Sequence, residues 1–279
     1  MGWPSAASPV VAVIGDPIAH SLSPLLHNAA FAALDLDWVS VGFRVPAGGA
    51  VAALAAARAL SLRGLSVTMP HKAEVAAHVN ELSPTARRLD AVNCVVVDDG
   101  RLIGDNTDGR GFLEALVRAT GIDPVGLRCL VLGAGGAARA VVVALADAGA
   151  SDVAVWARRR EPANAAAELA GSVGRLGEPG ETGTADLVVN ATPAGMAGSA
   201  AAGDRPPVDP ATLSSDHVVV DLIYEPRRTA WLEACAAQGA TTVGGLGMLV
   251  HQAAAQIEAW TGLDPPVAQM WAAAEAATG

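Results

Sequence analysis

Short β-branched runs alternate with longer Ala- and Leu-rich stretches along the chain, and the turn residues between them mark the elements. Val10 to Ile14 is an apolar run closed by Gly15, a first strand. Ser23-Pro24 has the form of an N-cap and first helical position, and the helix it opens runs to about Leu34. Trp38 to Phe43 is a second strand, Gly48 to Leu60 an Ala-rich helix, and Gly64 to Thr68 a third strand. Pro70 then reads as the first position of a helix that carries Lys72 in its first turn and reaches about Leu82. Strand, helix, strand, helix, strand is the βαβ pattern of a mostly parallel sheet.

Cys94 to Val97 is the next strand, Asp98-Asp99-Gly100 a hairpin-type turn and Arg101 to Gly104 the return. A helix from about Arg110 to Ala119 follows, and a domain boundary is placed near Asp108 to Arg110. Leu127 to Leu132 is a buried strand that runs into a Gly-rich turn and a helix from Ala137 to about Ala148. Val153 to Trp156, Asp186 to Val189, Val218 to Leu222 and Thr241 to Val243 are further strands. Ala163 to Ala170 and Thr229 to Gln238 are helical, Gly171 to Gly183 is loop-rich, and Gly198 to Pro210 reads as a mobile connection. The last two helices, Leu246 to Trp260 and Pro265 to Ala277, have no strand between them and are expected to return to the first domain. The fold class is α/β with two domains.

Composition narrows the partners. A net charge of -10 over 279 residues argues against nucleic acid, which needs a basic face. There is no run of 18 or more apolar residues, so no membrane helix is expected. The opening Met-Gly-Trp-Pro-Ser lacks the charged region of a signal peptide. Cys94, Cys129 and Cys235 are odd in number and sit in apolar settings, so buried reduced thiols and a cytoplasmic location are expected. The six histidines show no ligand spacing, and no metal site is expected.

Lys72 is the only lysine of the chain. Lysine can act as an acid or base where its surroundings disfavour charge, and arginine cannot. Ser21 and Ser23 place two hydroxyls beside free N–H groups at a helix start, which either bind a carboxylate or only close the turn and cap the helix. Asn93, at a strand start, and Asp108, before a helix, are polar groups that stand apart, though a turn former and a cap are their structural alternatives. Gly133-Ala134-Gly135-Gly136-Ala137-Ala138 is G-x-G-x-x-A after a strand and before a helix, the context of a dinucleotide site. Gly133 permits the tight turn, and Gly135 lets backbone N–H groups approach a pyrophosphate. After Trp156, where an NAD site places an acid, stand Ala157-Arg158-Arg159-Arg160. Guanidinium forks match a phosphate, so the 2′-phosphate of NADP is the expected ligand. Tyr224, the only tyrosine, lies beyond a strand's carboxyl end, and Gln252 shares a helix face with Met248 and Ala255.

In one order and spacing from Val10 to about Ala255, these motifs resemble the shikimate dehydrogenase family. The stretches are Gly15 to Asn28, Ser66 to Lys72, Asn93, Asn106-Thr-Asp108, the Gly133 loop, Asn190 to Met196, Tyr224 to Thr229 and Gly245 to Gln252. The resemblance implies a substrate domain over residues 1–108 completed by 245–279, and a Rossmann-type NADP domain over 109–244. It implies NADP-linked interconversion of 3-dehydroshikimate and shikimate, in a monomer or homodimer. Ser21 and Ser23 match the family's carboxylate-binding serines. Thr68, Lys72, Asn93, Asp108 and Gln252 match the residues that hold ring hydroxyls, with Lys72 and Asp108 as the catalytic pair and Tyr224 bordering the substrate. Gly133 to Ala137, Ala157, Arg158, Arg159, Thr192, Leu222, Gly245 and Met248 match cofactor contacts. Three positions depart from the family: Ser66 stands for its usual Asn, Cys94 for Thr, and Ala157-Arg158-Arg159 for Asn-Arg-Thr.

Two rivals stand beside this reading. A quinate or quinate/shikimate dehydrogenase would be favoured by an acid after Trp156, where arginines stand instead. A non-catalytic NADPH sensor predicts loss of the acid/base pair, and both Lys72 and Asp108 are present.

Overall fold

The computed structural model describes residues 4–198, 201 and 203–278, so the chain start and part of the connection after Gly198 lie outside the described residues. Two compact units divide the chain, one reaching Thr107 and including Val250–Ala277, the other Asp108–Leu249.

The first unit holds β1 (Val10–Gly15), α1 (Ser23–Ala33), β2 (Val39–Arg44), α2 (Ala50–Ala59), β3 (Gly64–Val67), α3 (Lys72–Ala76), β4 (Glu81–Leu82), α4 (Pro84–Leu89), β5 (Cys94–Asp98) and β6 (Arg101–Asp105). Its strands form one sheet in the order β2-β1-β3-β5-β6-β4. β1 runs parallel to β2 and β3, as the βαβ alternation requires. The β5–β6 hairpin is antiparallel and turns at Asp99 and Gly100, both with positive φ. One face of the sheet packs Ile14, Leu65, Val67, Val95 and Leu102 against Leu54, Ala57, Val75 and Ala86 of the helices.

The helix expected from Pro70 to Leu82 is shorter than its pattern suggested. It begins at Lys72, with His71 at the N-cap, and ends at Ala76. Asn80 diverts the chain into the sheet: its N–H donates to Leu102 O and its Oδ1 accepts the Leu102 N–H, both at 2.8 Å. A second helix then starts at Pro84, capped by Ser83, whose Oγ accepts the Ala86 N–H.

The second unit holds α5 (Asp108–Thr120), β7 (Arg128–Leu132), α6 (Gly136–Asp147), β8 (Asp152–Trp156), α7 (Arg160–Glu168), β9 (Gly174–Leu176), β10 (Leu187–Asn190), β11 (Val218–Asp221), α8 (Ala230–Ala237) and β12 (Thr241–Gly244). Its six strands run in the order β12-β11-β10-β7-β8-β9, every pair parallel. Alternate residues face two cores. Cys129, Val131, Val153, Val155, Leu187, Val189 and Val220 pack with α5, α6 and α7, while Leu130, Leu132, Ala154, Val188 and Val219 pack with α8. Burial on both faces explains why these strands read as unbroken apolar runs. The three-residue β9 lies in the stretch expected to be loop, on the sheet edge beside β8.

Two helices close the chain, α9 (Leu246–Thr261) and α10 (Val267–Thr278), and the division between the units falls within α9. Trp260 of α9 donates its Nε1–H to Val95 O at 3.0 Å. Gly64 is required beneath it, because a Cβ there would stand 2.2 Å from that nitrogen. No helix among the described residues is long and apolar enough to cross a membrane.

Candidate active site

In the first unit the candidate residues gather where β1 and β3 end and β5 begins. Gly15 closes β1 against Thr68, whose N–H donates to Ile14 O at 3.0 Å; a Cβ at Gly15 would meet the Thr68 methyl at 2.4 Å. Ser21 and Ser23 stand at the start of α1. Leu22, not Ser23, occupies the N-cap, and the Ser21 hydroxyl accepts the Ser23 N–H at 3.3 Å. The capping role expected of Ser23 therefore falls to neither its hydroxyl nor a neighbour's reaching deeper into the helix. Ser23 is nearly buried and Ser21 half-buried.

Lys72 opens α3, and its backbone is held from two sides. Its carbonyl accepts the Val92 N–H at 2.9 Å. His71, fully buried, faces Val45 O through Nε2 at 2.7 Å; because a carbonyl only accepts, Nε2 carries the proton. The five-residue α3 brings little helix dipole to the lysine, so its setting depends on this anchoring rather than on a long helix.

Asn93 is the centre of a buried network. Its Oδ1 accepts the Thr107 N–H at 2.8 Å, and its Nδ2 donates to Thr107 Oγ1 at 3.0 Å and to Gln252 Oε1 at 3.4 Å. Thr107 Oγ1–H donates to Gln252 O at 3.0 Å. Gln256 donates through Nε2 to Asn93 O and to Gln252 Oε1, each at 3.1 Å. Asn93 and Gln252 are thus brought together across 159 residues. Neither Thr107 nor Gln256 stands out in the sequence, although Gln256 follows Gln252 by one helical turn on an apolar face.

His27 lies behind this network, with Nδ1 3.0 Å from Ser40 Oγ and its ring edge-on to Trp260. Burial lowers its pKa from 6.5 to about 3, with Gln256 offsetting part of the shift.

In the second unit the candidates share one edge of the sheet. Trp156 pairs with Leu132, Leu132 with Asn190, Asn190 with Asp221, and Asp221 with Gly244, so one row crosses five strands at their carboxyl ends. The loops carrying Gly133, Ala157 to Arg159, Thr192, Leu222, Tyr224 and Gly245 all leave from that row. Asp108 opens α5 and is buried.

The Gly133 loop fits a dinucleotide. Gly133 has φ 117°, and a Cβ there would lie 2.8 Å from Ala191 O, so the loop turns tightly against β10. Gly135 is the N-cap of α6 with no side-chain cap, and a Cβ at Gly135 or Gly136 would meet nothing within 4 Å. The first N–H groups of α6 face open space where a phosphate can approach. Arg158 and Arg159, just past β8, are exposed.

A second buried network sets the loops after β10 and β11. Asp221 accepts from Asn190 Nδ2 at 3.0 Å, the Ile223 N–H at 3.2 Å and Thr229 Oγ1 at 2.6 Å. Asn190 Oδ1 accepts from Thr192 Oγ1 at 2.7 Å and from the Thr192 N–H at 3.1 Å. Burial raises the Asp221 pKa, and these donors oppose the rise. In the sequence Asp221 has only the character of a strand residue. Tyr224 is half-buried, and burial together with the Glu225 charge raises its pKa, so the phenol keeps its proton. Gly245 passes so close to Leu222 that a Cβ would lie 2.1 Å from the Leu222 carbonyl oxygen. Among the described residues, no group of three or more His, Cys, Asp or Glu side chains is placed to hold a metal.

Comparison with known proteins points to one family. Residues 13–95 match the model of the shikimate dehydrogenase substrate binding domain, and residues 245–275 that of the shikimate 5'-dehydrogenase C-terminal domain. The chain is 43% identical over 278 residues to the shikimate dehydrogenase (NADP(+)) of Moorella thermoacetica, covering 95% of this chain and 92% of that protein. A crystal structure of a shikimate dehydrogenase in complex with NADP+ superposes with a TM-score of 0.93 at 34% identity, covering 99% of this chain and 98% of the other. The shikimate 5-dehydrogenase of Thermus thermophilus, in complex with NADP(H) and shikimate, superposes with a TM-score of 0.88 at 39% identity, covering 96% of this chain and 99% of the other. The chain belongs to the shikimate dehydrogenase family.

Proposed function

We propose that this protein is an NADP-dependent shikimate dehydrogenase, which reversibly reduces 3-dehydroshikimate to shikimate on the route to chorismate and the aromatic amino acids. The observation that carries the reading is the pairing, in one chain, of a Gly-rich cradle followed by an arginine cluster with a polar set built around Lys72 and Asn93. The segment up to residue 108 with 245–279 is read as the substrate domain, and 109–244 as the NADP domain.

Gly133 to Ala137 would hold the pyrophosphate through backbone N–H groups at the start of α6. Arg158 and Arg159 would hold the 2′-phosphate, and Ala157, Thr192, Leu222, Gly245 and Met248 would complete the cofactor contacts. Bound there, NADPH supplies the hydride for the ring carbonyl.

The chain's own residues orient the ring and move the proton. Ser21 and Ser23 bind the carboxylate and fix which way the ring lies. Thr68, Asn93 and Gln252 hold ring hydroxyls, and the buried Asn93 network keeps that wall from reorganising. Lys72 and Asp108 work as a pair at the reacting oxygen. In reduction they deliver a proton as negative charge grows there, and in oxidation they take it back. Tyr224, a phenol whose pKa burial raises further, borders the substrate as a donor. The acidic chain works in the cytoplasm as a monomer or homodimer, without nucleic-acid or membrane partners.

Lys72→Ala tests the assignment. Turnover of shikimate should fall by about 10²- to 10⁴-fold, the range of a general acid–base group, while KM for NADP stays within about twofold. Retained turnover would remove the lysine from the mechanism.

A further inference from the structure

We infer that Gln256 is a positioning residue for the substrate: it fixes the amide polarity of Gln252, so that the substrate hydroxyl meets Gln252 as a hydrogen-bond donor. The inference rests on the placement of Gln252 in the substrate site and names a residue outside that site as the one that sets its chemistry.

The polarity follows from two backbone groups whose roles are fixed. Asn93 O can only accept, so the Gln256 atom 3.1 Å away is the amide nitrogen. The same nitrogen lies 3.1 Å from the Gln252 amide, whose facing atom must therefore be the oxygen. From the other side, the Thr107 N–H can only donate, so the Asn93 atom 2.8 Å from it is Oδ1. That leaves Asn93 Nδ2 facing Gln252, at 3.4 Å, and again requires an oxygen there. Both chains of bonds end on Gln252 Oε1, and each alone excludes the flipped amide. A flip would set Gln252 Nε2 against two N–H groups and leave buried donors without acceptors. A ligand at Gln252 therefore meets the N–H side of the amide.

Gln256 also meets His27, but both hydrogen bonds that its amide nitrogen donates go into this wall. It is 1% exposed in an apolar helix, where a leucine or alanine would pack without needing partners. Its cost is offset by the two bonds it donates into the Asn93–Gln252 wall.

A double-mutant cycle tests this, with steady-state kinetics of shikimate oxidation by wild type, Gln256→Met, Gln252→Met and the double variant. Gln256→Met should raise KM for shikimate about tenfold, the worth of one well-made buried hydrogen bond, and leave KM for NADP within about twofold. The double variant should bind shikimate no worse than Gln252→Met alone, because Gln256 acts only through Gln252. Multiplied losses in the double variant, an unchanged KM in Gln256→Met, or equal rises in both KM values would each overturn the inference. Gln256→Leu gives the same test if the methionine variant fails to fold. Wild type without shikimate turnover would instead overturn the reading of the site, and this inference with it.

Discussion

Acidification from about pH 7 to about pH 5 should cost the folded protein about 2 kcal/mol through one side chain, His27. Its ring is fully buried, between Ser40 and the edge-on Trp260. Desolvation holds its pKa near 3 rather than 6.5. The unfolded chain takes up a proton as the pH falls through 6.5, and the folded protein does so only near 3. The unfolded state thus binds more protons across that window. Stability from the neutral ring is whole above 6.5 and is lost as the pH falls, at about 1.4 kcal/mol per pH unit once the unfolded histidine is charged. Urea unfolding of wild type and His27→Asn at the two pH values reads the term. The variant is weaker at both, but every other titrating group cancels in the double difference. Wild type should lose about 2 kcal/mol more than the variant between the two pH values. Equal acid losses would mean that the ring is not held neutral, and would refute the desolvation argument.

Arg158→Ala should raise KM for NADP about 10- to 100-fold, the worth of a charge-assisted bond, and leave KM for NAD nearly unmoved; equal losses would sink the 2′-phosphate assignment. Gly245→Ala forces a methyl to within 2.1 Å of a backbone oxygen. It should cost about 3 kcal/mol and lower Tm by about 6 to 12 °C, and a wild-type melting curve would contradict the close approach. Burial raises the pKa of all three thiols, those of Cys129 and Cys235 to about 12. A thiol reagent at mildly alkaline pH should label none of them in the folded protein and all three after denaturation, and labelling of the native protein would show that a cysteine is reachable.

Most strands were legible because they are short apolar runs rich in valine, and the helices because small apolar residues recur between them. The Gly133 loop was legible because its glycines do local work: a left-handed turn and an open helix start. The pattern misleads where local preference and tertiary demand part. Nothing in Lys72 to Leu82 shows that Asn80 will bond to Leu102 and end the helix. Ser83-Pro84 did carry a helix-start signal, which the longer helical pattern before it obscured. β9 is three residues with a central arginine, too short for a period to appear. Asn93 and Gln252 could be picked out one at a time, but not their contact, because no periodicity spans 159 residues. Asp221 reads as the end of an apolar strand, and only the fold places Asn190 and Thr229 around it.

The most direct test of the proposed activity is absorbance at about 340 nm, where the reduced nicotinamide absorbs, with shikimate or quinate crossed against NADP or NAD. The account predicts fast reduction with shikimate and NADP and little with the other three pairs. Activity centred on quinate and NAD would contradict it and make the arginines after Trp156 bystanders. Silence in all four would leave a protein that binds the dinucleotide without turning over the ring.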